Sequence, residues 1–198
     1  MPPKAKTSRD TILKAALDLT REQGEGALNA RAIADRIGCS TQPIFSNYAS
    51  MAELRSDVTR AAIACYHNMV ETEMRDHPAL PYKASGLAYI RFAKEERELF
   101  KLLFMRERTP AQYIDDDKSF TDRIVTLVSE KTGFTPEEAY RLHLELWIFV
   151  HGIASMIATA YLDWDWDNIS QMLSDAYLSL VQHHKEKHAA SESETAEN

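Results

Sequence analysis

The sequence predicts an all-helical protein, and three observations support this fold class. Only six glycines and seven prolines interrupt 198 residues, apolar residues recur at helical spacing over long segments, and two of these segments open with capping-box sequences. A hydrophobic content of 44% is enough for one or two modest domains with apolar cores. The helices are therefore expected to pack through buried faces.

Two short helices are predicted near the start of the chain. Residues 8–23 place apolar side chains on one face, and Gly24 follows them as a typical helix terminator. Asn29 is a favourable N-cap for a second helix over residues 30–37. Gly38 is expected to end that helix, because glycine adopts the left-handed conformation common after a helix C-terminus.

A third short helix is predicted within the stretch GCSTQPIFSNY, residues 38–48. Ser40 can cap it, and Pro43 then lies in the first turn, where a missing backbone N–H leaves no intrahelical acceptor unpaired. Ile44 and Phe45 are expected to point inward as core residues. The residues left to face outward are Thr41, Gln42, Ser46 and Asn47.

Longer helices are predicted for the rest of the chain. Capping boxes begin at Ser50 and at Thr135, the second with proline in the first helical position. The predicted helices cover residues 51–77, 82–96, 97–107, 117–131, 135–162 and 165–187. The polar, acidic segment 189–198 is expected to be disordered.

Residues 146–162 contain no formal charge, but at seventeen residues the run is just too short to span a membrane. A helix that is apolar all round must be covered all round. We therefore expect a second copy of the chain to cover one side, which predicts a homodimer held by the last two helices. A large monomeric core is the alternative. The last helix has a matching apolar stripe of Ile169, Met172, Leu173, Ala176, Tyr177, Leu180 and Val181.

Composition excludes several classes of protein. The two cysteines lack CxxC spacing, which argues against a disulfide framework or a zinc knuckle, and the polar start of the chain does not resemble a signal peptide. We therefore expect a reducing, cytoplasmic location. No metal or cofactor is predicted, because His183, His184 and His188 are better explained as favourable charges near a helix C-terminus. The net charge is −7, but residues 1–60 carry a net +2, which favours contact with a polyanion there.

The segment from Thr11 to Leu54 resembles the N-terminal domain of the tetracycline-repressor (TetR) family of transcriptional regulators. The sequences that carry the resemblance are ILKAALDLTREQG, LNARAIADRIGCSTQPIFSNY and SMAEL. Weaker similarity comes from Trp147 with His151-Gly152 and from FAKEERELFKLLF. The resemblance implies a nine-helix fold. Residues 1–50 would form an arm and a helix-turn-helix DNA-binding domain, 51–188 a helical ligand-binding and dimerisation domain, and 189–198 a tail.

The resemblance also implies that the third helix enters the major groove of an operator. Gln42 can bond an adenine edge, Thr41 can offer its methyl to thymine, and Pro43 presents apolar surface. Asn47 and Tyr48 match family positions that contact the DNA backbone. The predicted DNA-binding residues are Lys4, Lys6, Arg9, Arg31, Ser40, Thr41, Gln42, Pro43, Ser46, Asn47 and Tyr48.

Other interpretations of these residues stay open. Arg31 can pair with Asp35 four residues later, Tyr48 can be a packing residue, and the basic arm can be a solvated tail. The family usually has tyrosine where this chain has Phe45, and often lysine where it has Met51. Weaker contact with the DNA backbone is therefore expected.

The family resemblance further implies a small-molecule effector that binds among the C-terminal helices and changes the spacing of the two DNA-reading domains. The candidate ligand-binding residues are Tyr66, Met69, Tyr89, Phe92, Phe100, Phe104, Tyr113, Trp147 and His151. Ordinary core packing is the alternative for each of them. Their mixture favours an apolar or aromatic effector.

The function predicted from the sequence is a ligand-responsive dimeric repressor. An enzyme is not expected, because the sequence contains no nucleophile–base pair, metal-ligand spacing or phosphate loop. A helical interaction module with a degenerate helix-turn-helix, or a helical small-molecule enzyme, is the alternative.

Overall fold

The structure, a computed structural model, describes residues 7–107 and 118–196. This part of the chain contains nine α-helices, a short 3-10 helix and no strand, so the predicted all-helical fold class is confirmed. The helices are α1 Arg9–Gln23, the 3-10 helix Glu25–Ala27, α2 Ala30–Ile37, α3 Gln42–Asn47, α4 Met51–Asp76, α5 Pro81–Glu95, α6 Arg97–Phe104, α7 Lys118–Thr132, α8 Pro136–Ala158 and α9 Trp166–Ala196.

The chain divides into two compact units. The first contains the described residues up to Met69 together with Phe92–Arg106, and the second contains Val70–Arg91 and the described residues from Glu107 onward. Helices α4 and α5 each contribute residues to both units. The functional boundary after residue 50 that the sequence predicts is a different division, and it stays a prediction.

The ends of α1 and α2 follow the local signals in the sequence. The Ser8 side chain accepts a hydrogen bond from the Thr11 N–H (3.1 Å), and Asn29 accepts one from the Ala32 N–H (3.0 Å). Gly38 has a φ of 74° and a ψ of 39°, the left-handed conformation expected after α2. The predicted roles of Asn29 and Gly38 are therefore confirmed.

Helix α3 differs from its prediction in two ways. It begins at Gln42, so its N-cap residue is Thr41 and not Ser40 as expected, and the Thr41 side chain makes no capping bond. Pro43 lies in the first turn, as predicted. Ile44 is fully buried, but Phe45 is 55% exposed, so the expectation that both point inward is wrong for Phe45. The buried face of this segment passes through Ile44 and Tyr48, four residues apart, and Phe45 lies off that face.

The capping box at Ser50 is present with a shifted partner. The Ser50 hydroxyl accepts the Glu53 N–H (3.2 Å), and the Glu53 carboxylate accepts the Ala49 N–H (2.8 Å). A standard box would bond the backbone N–H of the cap residue itself. These two bonds still satisfy backbone N–H groups at the start of α4.

The second unit has a core formed by the end of α7, the start of α8 and one face of α9. It consists of Val128, Phe134, Ala139, Leu142 and Leu146, and partly buried residues of α9 pack against it. These residues include Ala176, Tyr177, Leu180 and Val181. Most of the stripe on the last helix that the sequence assigned to a second chain is therefore used inside its own chain.

Three helix ends differ from expectation by three residues or more. Helix α6 stops at Phe104, not at residue 107. Helix α8 stops at Ala158, not at residue 162, and Ala160 adopts a positive φ of 55° in the turn that follows. Helix α9 continues to Ala196, so the backbone of 189–196 is helical where a disordered tail was expected. Alanine and glutamate in this segment favour helix, and extending an existing helix needs no new nucleation. Among the described residues, none of the helices combines the length and apolarity needed to traverse a bilayer.

Candidate functional site

Helices α2 and α3 form a helix-turn-helix. The turn of residues 38–41 begins with hydrogen bonds from Gly38 N–H to the Asp35 carbonyl (3.3 Å) and from Cys39 N–H to the Ala34 carbonyl (3.0 Å). A three- to four-residue turn containing glycine is typical of this motif. The left-handed Gly38 thus sets the direction in which the chain leaves α2 and enters α3.

The outward face of α3 carries a small, mostly uncharged surface. Thr41, Gln42, Phe45 and Ser46 are exposed, whereas Ile44 is buried beneath them. The Ser46 hydroxyl donates to the Gln42 carbonyl (3.0 Å), so one of its bonds is local. An amide, hydroxyls and an aromatic ring on one protruding helix can meet the edges of base pairs. The exposure of Phe45 was not predicted from the sequence.

Other predicted contact residues have local roles. The Asn47 amide donates to the Pro43 carbonyl (2.7 Å) and to the Thr7 carbonyl (3.3 Å), which ties the start of the chain to the end of α3. Ser40 is exposed in the turn. Lys4 and Lys6 lie outside the described residues.

Tyr48 is 1% exposed and packs inside the first unit. Its hydroxyl is buried and has no hydrogen-bond partner among the residues that the structure describes. Burial raises the pKa of Tyr48, and the nearby Asp57 carboxylate raises it further. The packing interpretation of Tyr48 thus agrees with the structure, and contact with DNA would require the side chain to move.

The arginines of the first unit differ in whether they already bond other groups of the protein. Arg31 is exposed and forms no ion pair with any described residue, so the alternative pairing with Asp35 is not present. Arg36 is held by Glu22 through two bonds of 2.8 and 2.5 Å, and Arg55 donates to the Leu28 carbonyl (2.6 Å). Arg31 is therefore better placed than Arg36 to meet a phosphate.

Arg9 is surrounded by groups of its own unit. One terminal nitrogen lies 2.7 Å from Glu53 Oε1 and 2.8 Å from Asp57 Oδ2, and the other lies 3.2 Å from the Asn47 carbonyl oxygen. The guanidinium also lies over the Tyr48 ring, 4.2 Å from its centroid. These carboxylates raise the pKa of Arg9. The hydrogen bond from Arg9 lowers the pKa of Asp57. The pKa of Glu53 is lowered first by the hydrogen bond from the Ala49 N–H and second by the bond from Arg9.

The predicted ligand-binding residues that the structure describes include an aromatic cluster in each of the two units. In the first unit, the Tyr66 ring lies 5.4 Å from Phe92 and 5.2 Å from Phe104, and Phe104 lies 5.2 Å from Phe100. Tyr66, Phe92 and Phe100 are buried and Phe104 is partly buried, as the core-packing alternative expects. Met69 belongs to the same unit.

The cluster in the second unit is centred on His151 and its hydrogen-bond partners. The Tyr89 hydroxyl lies 2.8 Å from His151 Nδ1, and the Ser155 hydroxyl lies 3.3 Å from His151 Nε2. Trp147 stacks on His151, with ring centroids 5.1 Å apart and planes at 19°. Burial lowers the pKa of His151, which favours the neutral imidazole. Ser155 was not among the residues predicted from the sequence, although it lies one helical turn after His151. Tyr113 lies outside the described residues.

His183 and His184 lie inside α9, which continues to Ala196, and not near a helix C-terminus as expected from the sequence. His184 is 8% exposed, its Nε2 lies 2.9 Å from Glu145 Oε2, and its ring centroid lies 6.0 Å from that of Phe134. His183 is exposed beside it. This arrangement gives His184 a packing role.

Comparison with known proteins agrees with this architecture. Residues 82–178 match the family model described as the tetracyclin repressor-like C-terminal domain. No curated protein matches the sequence.

Solved structures share the fold. A protein with unknown function from Rhodococcus sp. RHA1 is 21% identical, with 92% of this chain and 98% of that chain covered and a TM-score of 0.73. A TetR family protein from Vibrio parahaemolyticus is 16% identical, with coverage of 85% and 96% and a TM-score of 0.63. A TetR variant from Acinetobacter baumannii AYE in complex with minocycline is 16% identical, with coverage of 90% and 97% and a TM-score of 0.56.

Proposed function

The chain belongs to the TetR family of transcriptional regulators, and from this premise we propose that it is a dimeric repressor. In this proposal it binds a palindromic operator through α3 and is released by a small apolar or aromatic effector. A location in the cytoplasm, where the operator would be reached, is part of the proposal. As a regulator of this family, the chain is not expected to be an enzyme.

The observation that carries the proposal is the exposed face of α3. Thr41, Gln42 and Phe45 are exposed on a helix anchored by the buried Ile44 and Tyr48. Gln42 offers both a donor and an acceptor, which adenine can satisfy in the major groove. Thr41 and Phe45 offer apolar carbon, which suits a thymine methyl. Arg31 at the start of α2 supplies an uncompensated cation for a phosphate.

Exposed apolar residues on the last two helices support the dimer. Tyr140 is 51% exposed, Leu144 41% and Ile148 59%, and they follow one another at four-residue intervals along α8. Leu178 on α9 is 63% exposed. A contiguous apolar helix face of this kind is typical of a protein–protein interface. Two copies would have to hold their reading helices about 34 Å apart to meet successive major grooves.

The effector proposal rests on the Tyr89–Trp147–His151 group. Neutral His151 offers two nitrogen atoms whose bonds to Tyr89 and Ser155 a ligand could replace, and Trp147 offers a half-exposed aromatic surface. The minocycline complex of the Acinetobacter relative is consistent with a polycyclic effector for this fold. A ligand that binds only one spacing of the reading helices would shift the population away from DNA binding.

The function can be tested by selecting duplexes from a random-sequence pool and measuring their affinity at several salt concentrations. The logarithm of affinity should fall linearly with the logarithm of salt if several phosphates are contacted. Gln42→Ala should lower affinity by about 1–3 kcal/mol and relax preference at one base position. Gln23→Ala, the same change at the exposed end of α1, is the matched control and should have no effect.

The selection also separates this function from a degenerate helix-turn-helix module. Failure to enrich any sequence, with binding equally weak to all duplexes, would favour the module. Equal effects of Gln42→Ala and Gln23→Ala would contradict the assignment of α3 as the reading helix.

A further inference from the structure

We propose that Arg9 is a positioning residue that fixes the reading helix α3 against α1 and α4, and that it does not contact DNA phosphate. This inference rests on the proposed function, because the position of α3 matters only if α3 reads DNA. It replaces the role expected for Arg9 from its place in a basic N-terminal arm.

Arg9 joins three helices through one guanidinium. It is the first residue of α1, it bonds Glu53 and Asp57 of α4, and it donates to the carbonyl of Asn47, the last residue of α3. Its ε-nitrogen lies 3.3 Å from Asp57 Oδ2, so two nitrogens of the guanidinium donate hydrogen bonds to this carboxylate. A planar fork suits such multiple bonding better than a lysine ammonium does.

Helix α3 needs external anchoring because it is only six residues long. Helices of this length are not stable alone, and their last carbonyls have no intrahelical donors. The Asn47 carbonyl is one of these groups, and Arg9 satisfies it. The Tyr48 ring directly after α3 is buried beneath the same guanidinium. Arg9 therefore holds the C-terminal end of α3 by both a hydrogen bond and a cation–π contact.

The surrounding charges argue against phosphate binding by Arg9. Glu53 and Asp57 together supply two negative charges at hydrogen-bond distance, and Asp57 is 8% exposed. Arg60 pairs with the other oxygen of Asp57, so the cluster of two cations and two anions is neutral. A phosphate approaching Arg9 would have to displace bonded carboxylates and would be repelled by them.

Four variants separate positioning from phosphate contact: Arg9→Gln, Arg9→Lys, Asp57→Asn and, as a control that makes the same change at an exposed residue of α7, Asp122→Asn. The probe is a duplex selected by the wild-type dimer from a random pool. Positioning predicts that Arg9→Gln and Arg9→Lys both lower affinity roughly tenfold or more, with an unchanged salt slope. Phosphate contact predicts that Arg9→Lys keeps the affinity and that Arg9→Gln lowers the slope by about one.

Asp57→Asn distinguishes the two roles of Arg9 by the direction in which the DNA affinity changes. Removing a negative charge near DNA should raise affinity if Arg9 acts on phosphate, because its competitor is weakened. Positioning predicts lower affinity, since the anchor of Arg9 on α4 is lost. Unchanged or raised affinity in Asp57→Asn would overturn the proposal, and Asp122→Asn should match the wild type in either case.

A measurement without DNA keeps this test distinct from that of the proposed function. Amide hydrogen exchange in residues 42–48 should accelerate roughly tenfold or more in Arg9→Lys, while exchange in α8 stays at the wild-type rate. Unchanged protection of residues 42–48 would overturn the positioning role. A wild type that selects no duplex would refute DNA reading alone, and accelerated exchange would still support the anchoring of α3.

Discussion

At the scale of single residues, Gly24 shows how one backbone conformation constrains the sequence. It follows α1 with a φ of 80° and a ψ of 171°, a combination that side chains rarely tolerate. A Cβ atom at this position would also meet Glu98 Oε2 at 2.8 Å. Gly26 lies two residues later, without positive φ and with nothing within 4 Å of an added Cβ.

We expect Gly24→Ala to lower the free energy of unfolding by about 1–3 kcal/mol, because of the strained backbone. The matched variant Gly26→Ala should be neutral or slightly stabilising, since alanine restricts only the unfolded chain there. Urea unfolding followed by circular dichroism measures both. Equal midpoints for the two variants would contradict the explanation.

Ile44 and Phe45 are neighbours with opposite roles. Ile44→Ala removes a fully buried side chain and should cost about 2–5 kcal/mol of unfolding free energy. Phe45→Ala should change stability by less than about 0.5 kcal/mol but should weaken binding to a selected duplex, because this ring faces outward. Thermal unfolding and duplex titration together test the pair. A large loss of stability in Phe45→Ala would refute its exposure.

At the scale of helices, α8 begins with a complete capping box. Thr135 accepts the Glu138 N–H (3.3 Å), and Glu138 accepts the Thr135 N–H (2.9 Å). Thr135→Ala should therefore lower the free energy of unfolding by about 1 kcal/mol. Thr126→Ala, an exposed change inside α7, should be neutral or stabilising because alanine has the higher helix propensity. The denaturant midpoint of Thr135→Ala should therefore be lower than that of Thr126→Ala.

The Arg9 cluster that joins α1, α3 and α4 should make stability depend on acid. Folding lowers the pKa of Asp57 below its usual 3.8, mainly through its bond to Arg9. A lowered carboxyl pKa stabilises the fold above the unfolded pKa, and this stability is lost as the pH falls through the folded pKa. The loss should begin near pH 4 and continue below it.

Asp57→Asn should be less stable than the wild type at pH 7, and the difference should shrink as the pH falls from about 5 to 3. Urea midpoints at pH 7, 5, 4 and 3 measure this. Asp175→Asn, exposed on α9, should track the wild type throughout. A constant gap between Asp57→Asn and the wild type would show that ionisation of Asp57 is not responsible.

At the scale of the whole molecule, the exposed apolar residues of α8 and α9 are the feature a dimer would explain. Ile148→Glu should weaken self-association at least tenfold, because the symmetric contact would bury like charges. Leu80→Glu is a matched control, since Leu80 is 62% exposed in the turn between α4 and α5. Sedimentation equilibrium at micromolar concentration compares them. A monomeric wild type would refute the dimer.

Local sequence signals were enough to predict much of the fold. The caps at Asn29 and Thr135, the terminator Gly38 and the order of the helices depend on residues close together in the chain. The helix-turn-helix could be identified for the same reason. Prediction failed at the ends of α8 and α9, where helix propensity competes with turn formation over a few residues.

By itself, the sequence determined the all-helical class, the two short helices joined by a glycine-containing turn, and the polar character of the third helix. Only the tertiary structure decided that Phe45 faces outward, that Arg9 is held by Asp57 across 48 residues of chain, and that much of the α9 stripe packs in its own unit. The reason is physical. Caps and turns satisfy backbone groups within a few residues, whereas burial and ion pairing depend on which distant segments fold against each other.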